Sequence, residues 1–461
     1  MPELPEVETV KNVLKELTLN KTIKNVEVLR AQTIEGNSKE FINNLQNETI
    51  IDFERIGKFI IFHLTNEKVI ISHLRMEGKY FLKEESAPLT KHDLVVFHFN
   101  DKTKLIYNDT RRFGKMSFST LANYKKVNPL KNVGPDPFMM KDSKLLQEAF
   151  KNKTIAIKTA LLDQSIMSGL GNIYVDEVLF ACKIHPETPA KLVNKKQLEL
   201  ILEQSKIVLF NAIKAGGSTI KSYHPREGIS GNFQVNLKVY GKKDSTCPNC
   251  GTKLRKIFVN GRGTTYCPKC QKNPAVAKLV AITGAIGAGK STVANIISKK
   301  GYTHLDCDQI VHDLYKNKDM QKEIKKIIPE LKIKNSDIDR VWLKDYLIAN
   351  QNKKKRLEKL VHKEVINVVE KELKNSKKPI ILEAAFLFET ELALIADETI
   401  YVDISKAKQI ENLKTRNENI EKSLKLNANY NVKNIKKATH IIINDKDVAN
   451  LEKQIDSIFG K

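Results

Sequence analysis

Residues 247–291 place two demands on the chain that no single domain meets. Cys247-Pro-Asn-Cys250 and Cys267-Pro-Lys-Cys270 are two CxxC pairs sixteen residues apart, a spacing that lets four thiolates close on one tetrahedral zinc ion. Thirteen residues further on begins Gly284-Ala-Ile-Gly287-Ala288-Gly289-Lys290-Ser291-Thr292. It contains a complete Gly-x4-Gly-Lys-Ser loop, the pattern whose backbone amides and lysine cradle nucleotide phosphates. A zinc knuckle is closed by its metal, whereas a phosphate loop needs a strand before it and a helix after it. The fold therefore changes between the two, and the seam separates a metal-stapled part from a nucleotide-binding part.

The charge is distributed accordingly. The chain of 461 residues carries a net +24. Residues 1–280 hold 44 Lys and Arg against 28 Asp and Glu, a net of +16, and residues 281–461 hold 34 against 26, a net of +8. An excess concentrated in the first part points to a polyanion there. The abundance of Lys, Asn and Ile also fits a plain compositional bias. The two cysteines outside the knuckles, Cys182 and Cys307, are isolated, so a secreted disulfide framework is excluded. The start Met-Pro-Glu-Leu-Pro-Glu has no basic or apolar signal region, and no apolar run reaches eighteen residues. These features predict a cytoplasmic protein with no membrane partner; oligomeric state is not legible.

The opening itself carries chemistry. Removal of Met1 before a small residue leaves Pro2 with a free secondary amine. A terminal amine titrates at about 7.7–8.0, against about 10.4 for lysine, so more of it is nucleophilic near neutrality. A secondary amine can form an iminium at a sugar aldehyde carbon, and Glu3 beside it can act as general acid. Pro2 and Pro5 can equally do no more than stiffen a turn.

Further stretches choose between these readings: Gly57-Lys58-Phe59, His73-Leu74-Arg75-Met76-Glu77-Gly78, Asn108-Asp109-Thr110-Arg111-Arg112-Phe113-Gly114, Leu162-Asp163-Gln164, and Gly169-Leu170-Gly171-Asn172-Ile173-Tyr174-Val175-Asp176-Glu177. Gly216-Gly217-Ser218-Thr219, Gly231-Asn232-Phe233-Gln234, Val239-Tyr240-Gly241 and Gly261-Arg262-Gly263-Thr264 come after them. With the opening and the knuckles, residues 2–272 resemble formamidopyrimidine-DNA glycosylase. The resemblance implies that Pro2 attacks C1′ of a damaged deoxynucleotide in double-stranded DNA, with Glu3 as the acid. It places Lys58 and Lys158 near the lesion and its phosphates, and Asn172 and Arg262 on phosphates. Met76, Arg111 and Phe113 would fill the gap left by the flipped base, since excision requires the base out of the stack. Without the resemblance, Met76 and Phe113 read as core and Lys58 as a solvated charge. Thr110 stands where proline is usual and Ser222 where an acid is common. Leu4 and the Met76/Arg111/Phe113 set favour the 8-oxoguanine branch over the endonuclease VIII branch.

The residue pattern agrees. Alternation in 49–64, 68–75, 93–99 and 103–107 predicts strands of a β-sandwich, and residues 142–214 predict helices. The break at Gly169–Asn172 puts backbone amides at a helix N-terminus, a site suited to phosphate. Eight basic residues and one acid lie between 241 and 272, a charge that suits backbone-phosphate binding.

In the second part, apolar runs at Lys278–Thr283, Tyr302–Leu305, Pro379–Leu382, Thr399–Val402 and His440–Ile443 predict five strands of a doubly wound parallel sheet. Gly284, Gly287, Ala288, Gly289, Lys290, Ser291 and Thr292 form the nucleotide loop, with Lys290 on the phosphates and Ser291 on Mg2+. Asp306-Cys307-Asp308 ends the second strand, where an acid can accept a hydroxyl proton or cap a helix. With Asp339-Arg340, Leu357–His362, Leu387-Phe388-Glu389, Gln409, Arg416 and Asn444, residues 278–458 resemble dephospho-CoA kinase. The resemblance implies Mg2+-dependent phosphorylation of the ribose 3′-hydroxyl of dephospho-CoA by ATP, with Asp308 as base and Arg416 on a lid. Lys363 and Ala385 stand where proline is usual, and Asn412 where a first lid arginine is expected.

The expectation is a multidomain chain: a β-sandwich catalytic domain over 1–128, a helix-two-turn-helix domain over 129–236, a zinc finger over 237–272, a linker over 273–277 and an α/β P-loop kinase fold over 278–461. It binds one structural Zn2+ and Mg2+ with ATP. The alternative keeps the glycosylase and makes the P-loop part a non-catalytic nucleotide-binding regulator, or a kinase of another small acceptor.

Overall fold

The structure, a computed structural model, describes residues 2–218, 235–415 and 435–460. Arg416, Ser222 and the stretches Thr219 and Gly231–Gln234 lie outside the described residues. The chain divides into two compact units, 1–273 and 274–461.

The first unit opens with α1 (Leu4–Thr18), β1 (Ile23–Val28), α2 (Ser38–Leu45), β2 (Ile50–Ile56), β3 (Phe59–Leu64), β4 (Lys68–His73), β5 (Lys79–Glu84), β6 (Asp93–Phe99), β7 (Thr103–Asn108) and β8 (Lys115–Thr120). The strands form two antiparallel sheets, ordered β1-β6-β7-β5 and β2-β3-β4-β8. The predicted run 49–64 is two strands, because Gly57 takes φ +57° and turns the chain. The strands with no sequence signal, β1, β5 and β8, all lie at sheet edges. Only one side chain in three of β1 is buried, so its alternation is weak.

Helix α1 joins this sandwich to the helical part of the unit. Val7, Val10 and Leu14, spaced along one helical face, enter the sandwich core. Leu4 enters the helical core, so the chain start lies where the two cores meet. The helical part comprises α3 (Lys144–Phe150), α4 (Ile157–Leu161), α5 (Asn172–Ala181) and α6 (Lys195–Lys214), and a hairpin of β9 (Arg255–Val259) and β10 (Arg262–Tyr266) comes after it. The hairpin turns on Asn260 and Gly261, both at positive φ, as a two-residue turn requires.

The second unit is a parallel sheet, order β12-β15-β11-β16-β17. Its elements are β11 (Leu279–Gly284), α7 (Lys290–Lys299), β12 (Thr303–Asp306), α8 (Cys307–Lys316), α9 (Lys318–Ile327), the short β13 (Ile333–Lys334) and β14 (Asp337–Ile338), α10 (Arg340–Ala349), α11 (Gln351–Asn375), β15 (Ile380–Glu383), α12 (Leu392–Ile395), β16 (Glu398–Asp403), α13 (Lys406–Thr415), β17 (His440–Ile443) and α14 (Val448–Phe459). Central β11 is buried on both faces. Leu279 and Ala281 pack with α9 and α11, and Val280 and Ile282 pack with α7 and α14. This two-sided burial is why parallel strands read as continuous apolar runs. The phosphate loop leaves the carboxyl end of β11, beside the ends of β15 and β12. Among the described residues no helix is long and apolar enough to cross a membrane.

Candidate active sites

The first site is built around Glu3. It is the N-cap of α1, and its carboxylate is buried against the start of α5. Glu3 accepts the amides of Gly171 at 2.7 Å, Ile173 at 2.9 Å and Tyr174 at 3.3 Å. A Cβ on Gly171 would stand 2.3 Å from the Glu3 carboxyl carbon, which is why the break before α5 carries glycine. Burial raises the Glu3 pKa to about 7, with Lys58 opposing and Glu6 adding to the rise. The expectation that the amides of this break bind phosphate is therefore corrected, since a carboxylate 168 residues away in sequence occupies them. Pro2, the residue before Glu3 in the chain, is half-buried.

Glu6 fixes the backbone beneath. It accepts the Glu3 amide at 2.8 Å, the Tyr174 hydroxyl at 2.5 Å, and the Ser218 amide and hydroxyl at 2.7 and 2.9 Å. Lys58, on the β2–β3 turn, is buried and donates to the Leu170 carbonyl at 2.7 Å. Its pKa is lowered by burial, raised back by Glu3 and lowered again by Arg262. Arg262 is exposed on β10, and Asn172 donates to the Gly263 carbonyl at 3.1 Å.

Lys158 lies deeper than a phosphate ligand should. It is fully buried, and its ammonium donates to Asp176 at 2.7 Å and to the Thr264 hydroxyl at 2.8 Å. Asp176 also accepts the Thr265 amide at 3.0 Å. The phosphate contact expected of Lys158 is not available from this conformation. Its place is under the hairpin, which it fastens to α5.

Two loops stand together at one end of the sandwich. Met76, between β4 and β5, is exposed, as are Arg111 and Phe113 between β7 and β8. The Arg111 guanidinium lies 5.0 Å over the Phe113 ring. Buried Asp109 shapes this loop by accepting the amides of Arg111, Phe113 and Gly114 at 2.9, 2.9 and 2.8 Å. The Tyr107 hydroxyl sits beneath both loops, and a Cβ on Gly114 would fall 1.6 Å from it. The Thr110 hydroxyl donates to Glu77, tying one loop to the other.

The four knuckle cysteines bring their sulfurs within 4.8 Å of one another. Cys247–Cys270 and Cys250–Cys267 stand at 3.9 and 3.5 Å. Tetrahedral zinc with bonds of about 2.3 Å sets its sulfurs roughly 3.8 Å apart, so the cluster fits one ion. Gln271 accepts the Cys267 amide at 2.9 Å and donates to the Ile184 carbonyl at 2.8 Å, anchoring the knuckle beyond α5.

The second site surrounds the phosphate loop. Three side-chain amides hold three consecutive loop carbonyls: Gln409 on Ile286, Asn412 on Gly287 and Asn444 on Ala288, each at 2.8 Å. Carbonyls held outward leave the loop amides facing the phosphate position. A cleft of about 250 Å³ opens beside Gly289, Thr292, Lys408, Asn412 and Asn444. Lys290 rests on the carbonyls of Gly284 and Ala285 at 3.2 and 3.1 Å. Ser291 donates to Glu383, at the end of β15, at 2.9 Å. Asp306 caps α8 by accepting the Asp308 amide at 2.8 Å, leaving the Asp308 carboxyl uncommitted. Partial burial and then Asp306 raise the Asp308 pKa, and Lys290 opposes them.

Family models match along the chain. The formamidopyrimidine-DNA glycosylase N-terminal domain covers residues 1–116, its H2TH domain 133–224, and the zinc finger found in FPG and IleRS 244–273. The formamidopyrimidine-DNA glycosylase of Mycoplasma mobile is 46% identical over 273 residues, which is 59% of this chain and 99% of that protein. The chain belongs to the formamidopyrimidine-DNA glycosylase family. The Bacillus subtilis glycosylase is likewise 46% identical over 274 residues, with the same two coverages. A Lactococcus lactis FPG mutant solved with Fapy-dG-containing DNA is 38% identical with a TM-score of 0.56, covering 59% of this chain and 100% of that one. The Lactococcus lactis Fpg solved with abasic-site DNA is 39% identical with the same score and coverage. Residues 278–450 match the dephospho-CoA kinase family. The protein is thus an enzyme in both parts, a glycosylase with a zinc finger held by four cysteines and a kinase domain that takes ATP with Mg2+.

The roles of four residues were not found by sequence reasoning. Glu6 carried a signal, the Glu3-x-x-Glu6 spacing of a capping box. Glu383 carried a weaker one, an acid closing the apolar run 379–382 beside the phosphate-loop strand. The departures Thr110 and Asn412 proved to be structural ties, and nothing in the pattern around them announced their partners.

Proposed function

We propose that the first unit excises oxidised purines, 8-oxoguanine and formamidopyrimidines, from double-stranded DNA through an imine on Pro2. The proline nitrogen attacks C1′, the N-glycosidic bond breaks, and its electron pair leaves with the base. Glu3 delivers the proton that the departing base or the sugar ring oxygen takes up, giving a ring-opened iminium. Loss of a C2′ proton then expels the 3′-phosphate, and a second elimination expels the 5′-phosphate. Lys58, next to Glu3 and depressed by burial, takes and returns protons in these steps. Met76, Arg111 and Phe113 fill the vacated stack, and Asn172 and Arg262 hold phosphates from α5 and the hairpin that Lys158 supports. The observation that carries this reading is that the residue after Pro2 is a buried carboxyl of pKa about 7. Borohydride added during reaction with 8-oxoguanine duplex should trap the chain on DNA, and Pro2→Gly should abolish the adduct. An undiminished adduct would refute the role of Pro2.

We infer that the second unit transfers the γ-phosphoryl group of ATP to the 3′-hydroxyl of dephospho-CoA. Asp308 accepts the hydroxyl proton as the oxygen bonds phosphorus and the β–γ bridge breaks, releasing ADP. Lys290 neutralises the β- and γ-phosphates from the loop formed by Gly284, Gly287, Ala288 and Gly289. Mg2+, which supplies charge neutralisation when bound, would be held by Ser291 and Glu383. A carboxyl freed from capping duty, facing Lys290, favours catalysis over a purely regulatory nucleotide site. Turnover of dephospho-CoA at least tenfold above nucleoside monophosphates supports this acceptor; the reverse order makes the domain a kinase of another substrate.

A further inference from the structure

Two buried polar atoms in the second unit face each other without a hydrogen bond. The Glu383 carboxylate spends one oxygen on the Ser291 hydroxyl, at 2.9 Å. Its other oxygen, Oε2, is buried and has no hydrogen-bond partner, and the same holds for Nε2 of His304. The two atoms are 3.6 Å apart, about half an ångström beyond hydrogen-bond length. Buried polar atoms are nearly always satisfied, so two neighbouring exceptions call for an explanation.

The sheet explains why they meet. β12 and β15 run parallel with Asp306 opposite Glu383 and His304 opposite Ile381. His304 and Asp306, two residues apart, share a face, and Glu383 rises on the same face from the neighbouring strand. The register aims the imidazole at the back of the carboxylate whose front holds the phosphate-loop serine. Asp306 stands opposite Glu383 on the neighbouring strand, and Asp308 follows it at the start of α8. Among the described residues, Nε2 of His304 is the one basic nitrogen within ion-pair distance of the Glu383 carboxylate, on the oxygen not used by Ser291.

We propose that His304 is the positioning residue of the Glu383 carboxylate, donating from Nε2 to Oε2 and so presenting Oε1 to the phosphate-loop hydroxyl and its cation. This rests on the reading of Glu383 as the cation-facing acid. A carboxylate with two rotatable bonds beyond its Cβ is a loose ligand unless its far oxygen is held. Partners that orient a ligating carboxylate are worth about 10–100-fold in metal affinity or activity.

The test uses the full chain and titrates Mg2+ at fixed ATP, reading nucleotide binding by calorimetry rather than turnover. His304→Ala should raise the Mg2+ concentration for half-maximal tightening about tenfold, with metal-free ATP binding and thermal midpoint near those of the parent. His304→Gln, whose side-chain amide can donate in place of Nε2, should recover to within about threefold of the parent. An unchanged Mg2+ midpoint in His304→Ala would overturn the proposal. So would equal losses in His304→Ala and His304→Gln with a lowered thermal midpoint, because the histidine would then only be packing. Glu383→Gln separates the two layers. If it leaves the Mg2+ midpoint unchanged, Glu383 is not the cation-facing acid and the proposal falls with that reading. If it raises the midpoint while His304→Ala does not, only the positioning role is lost.

Discussion

The pH dependence of base release is set by where Glu3 sits. An ordinary glutamate, with a pKa of 4.5, is protonated in about one molecule in 300 at pH 7. Burial lifts Glu3 to about 7, so about half the molecules hold the proton a general acid needs. The gain is roughly 150-fold in the competent form, or about 3 kcal/mol. The acid form is lost as pH rises through 7 while the neutral Pro2 amine grows until its own pKa of about 7.7–8.0, so the single-turnover rate should fall toward tenfold per pH unit above about pH 8. Lys58 favours the ionised carboxylate and lowers this pKa. Lys58→Met should therefore slow the eliminations yet keep Glu3 protonated to higher pH, moving the alkaline limb upward. The assay is single-turnover release of 8-oxoguanine from duplex between pH 6 and 9.5, with Glu3→Gln as the control lacking the acid. A rate flat to pH 9, or a limb that moves downward in Lys58→Met, would refute the role of burial and charge in tuning Glu3.

Other consequences can be checked in the same preparation. Asp176→Ala strands the Lys158 ammonium under the hairpin, and removing one partner of a buried pair costs about 3–5 kcal/mol. Denaturant unfolding of the first unit should show that loss, and Lys158→Met with Asp176→Leu should recover most of it. Chelation of zinc should abolish DNA binding, because structural zinc contributes on the order of 10–16 kcal/mol to such modules. CoA formation should persist in that chelated sample once Mg2+ is restored, as measured by product assay. Asp109→Ala unties three amides of the loop bearing Arg111 and Phe113, and should cut excision from duplex about 100-fold. Excision of a lesion in single-stranded DNA, measured alongside, should change much less.

What could be read from the sequence was what is local. The phosphate loop, the CxxC pairs and the five parallel strands carry their constraint within a few residues, and the fold class came from them. The strands missed were edges, where one buried face no longer imposes a clean alternation. Site residues failed when their partners were distant. The amides at Gly171–Tyr174 looked open to phosphate until Glu3 folded onto them, and Lys158 was expected near the lesion's phosphates until Asp176 and Thr264 closed around it. The residues alone left Asp306 and Asp308 open as cap or base; the resemblance named Asp308, and the helix shows Asp306 taken up as its cap. Asn412 looked like a lost arginine, yet it holds the Gly287 carbonyl.

That one chain carries two working enzymes is tested most directly in its kinase half. Purified full-length protein is incubated with ATP, Mg2+ and dephospho-CoA, and CoA is quantified beside a Lys290→Ala control. CoA should form in the parent and not in Lys290→Ala, while that control still cuts 8-oxoguanine DNA at the parent rate. ATP binding with no CoA formed would contradict it, leaving a glycosylase joined to a nucleotide-binding domain without that activity.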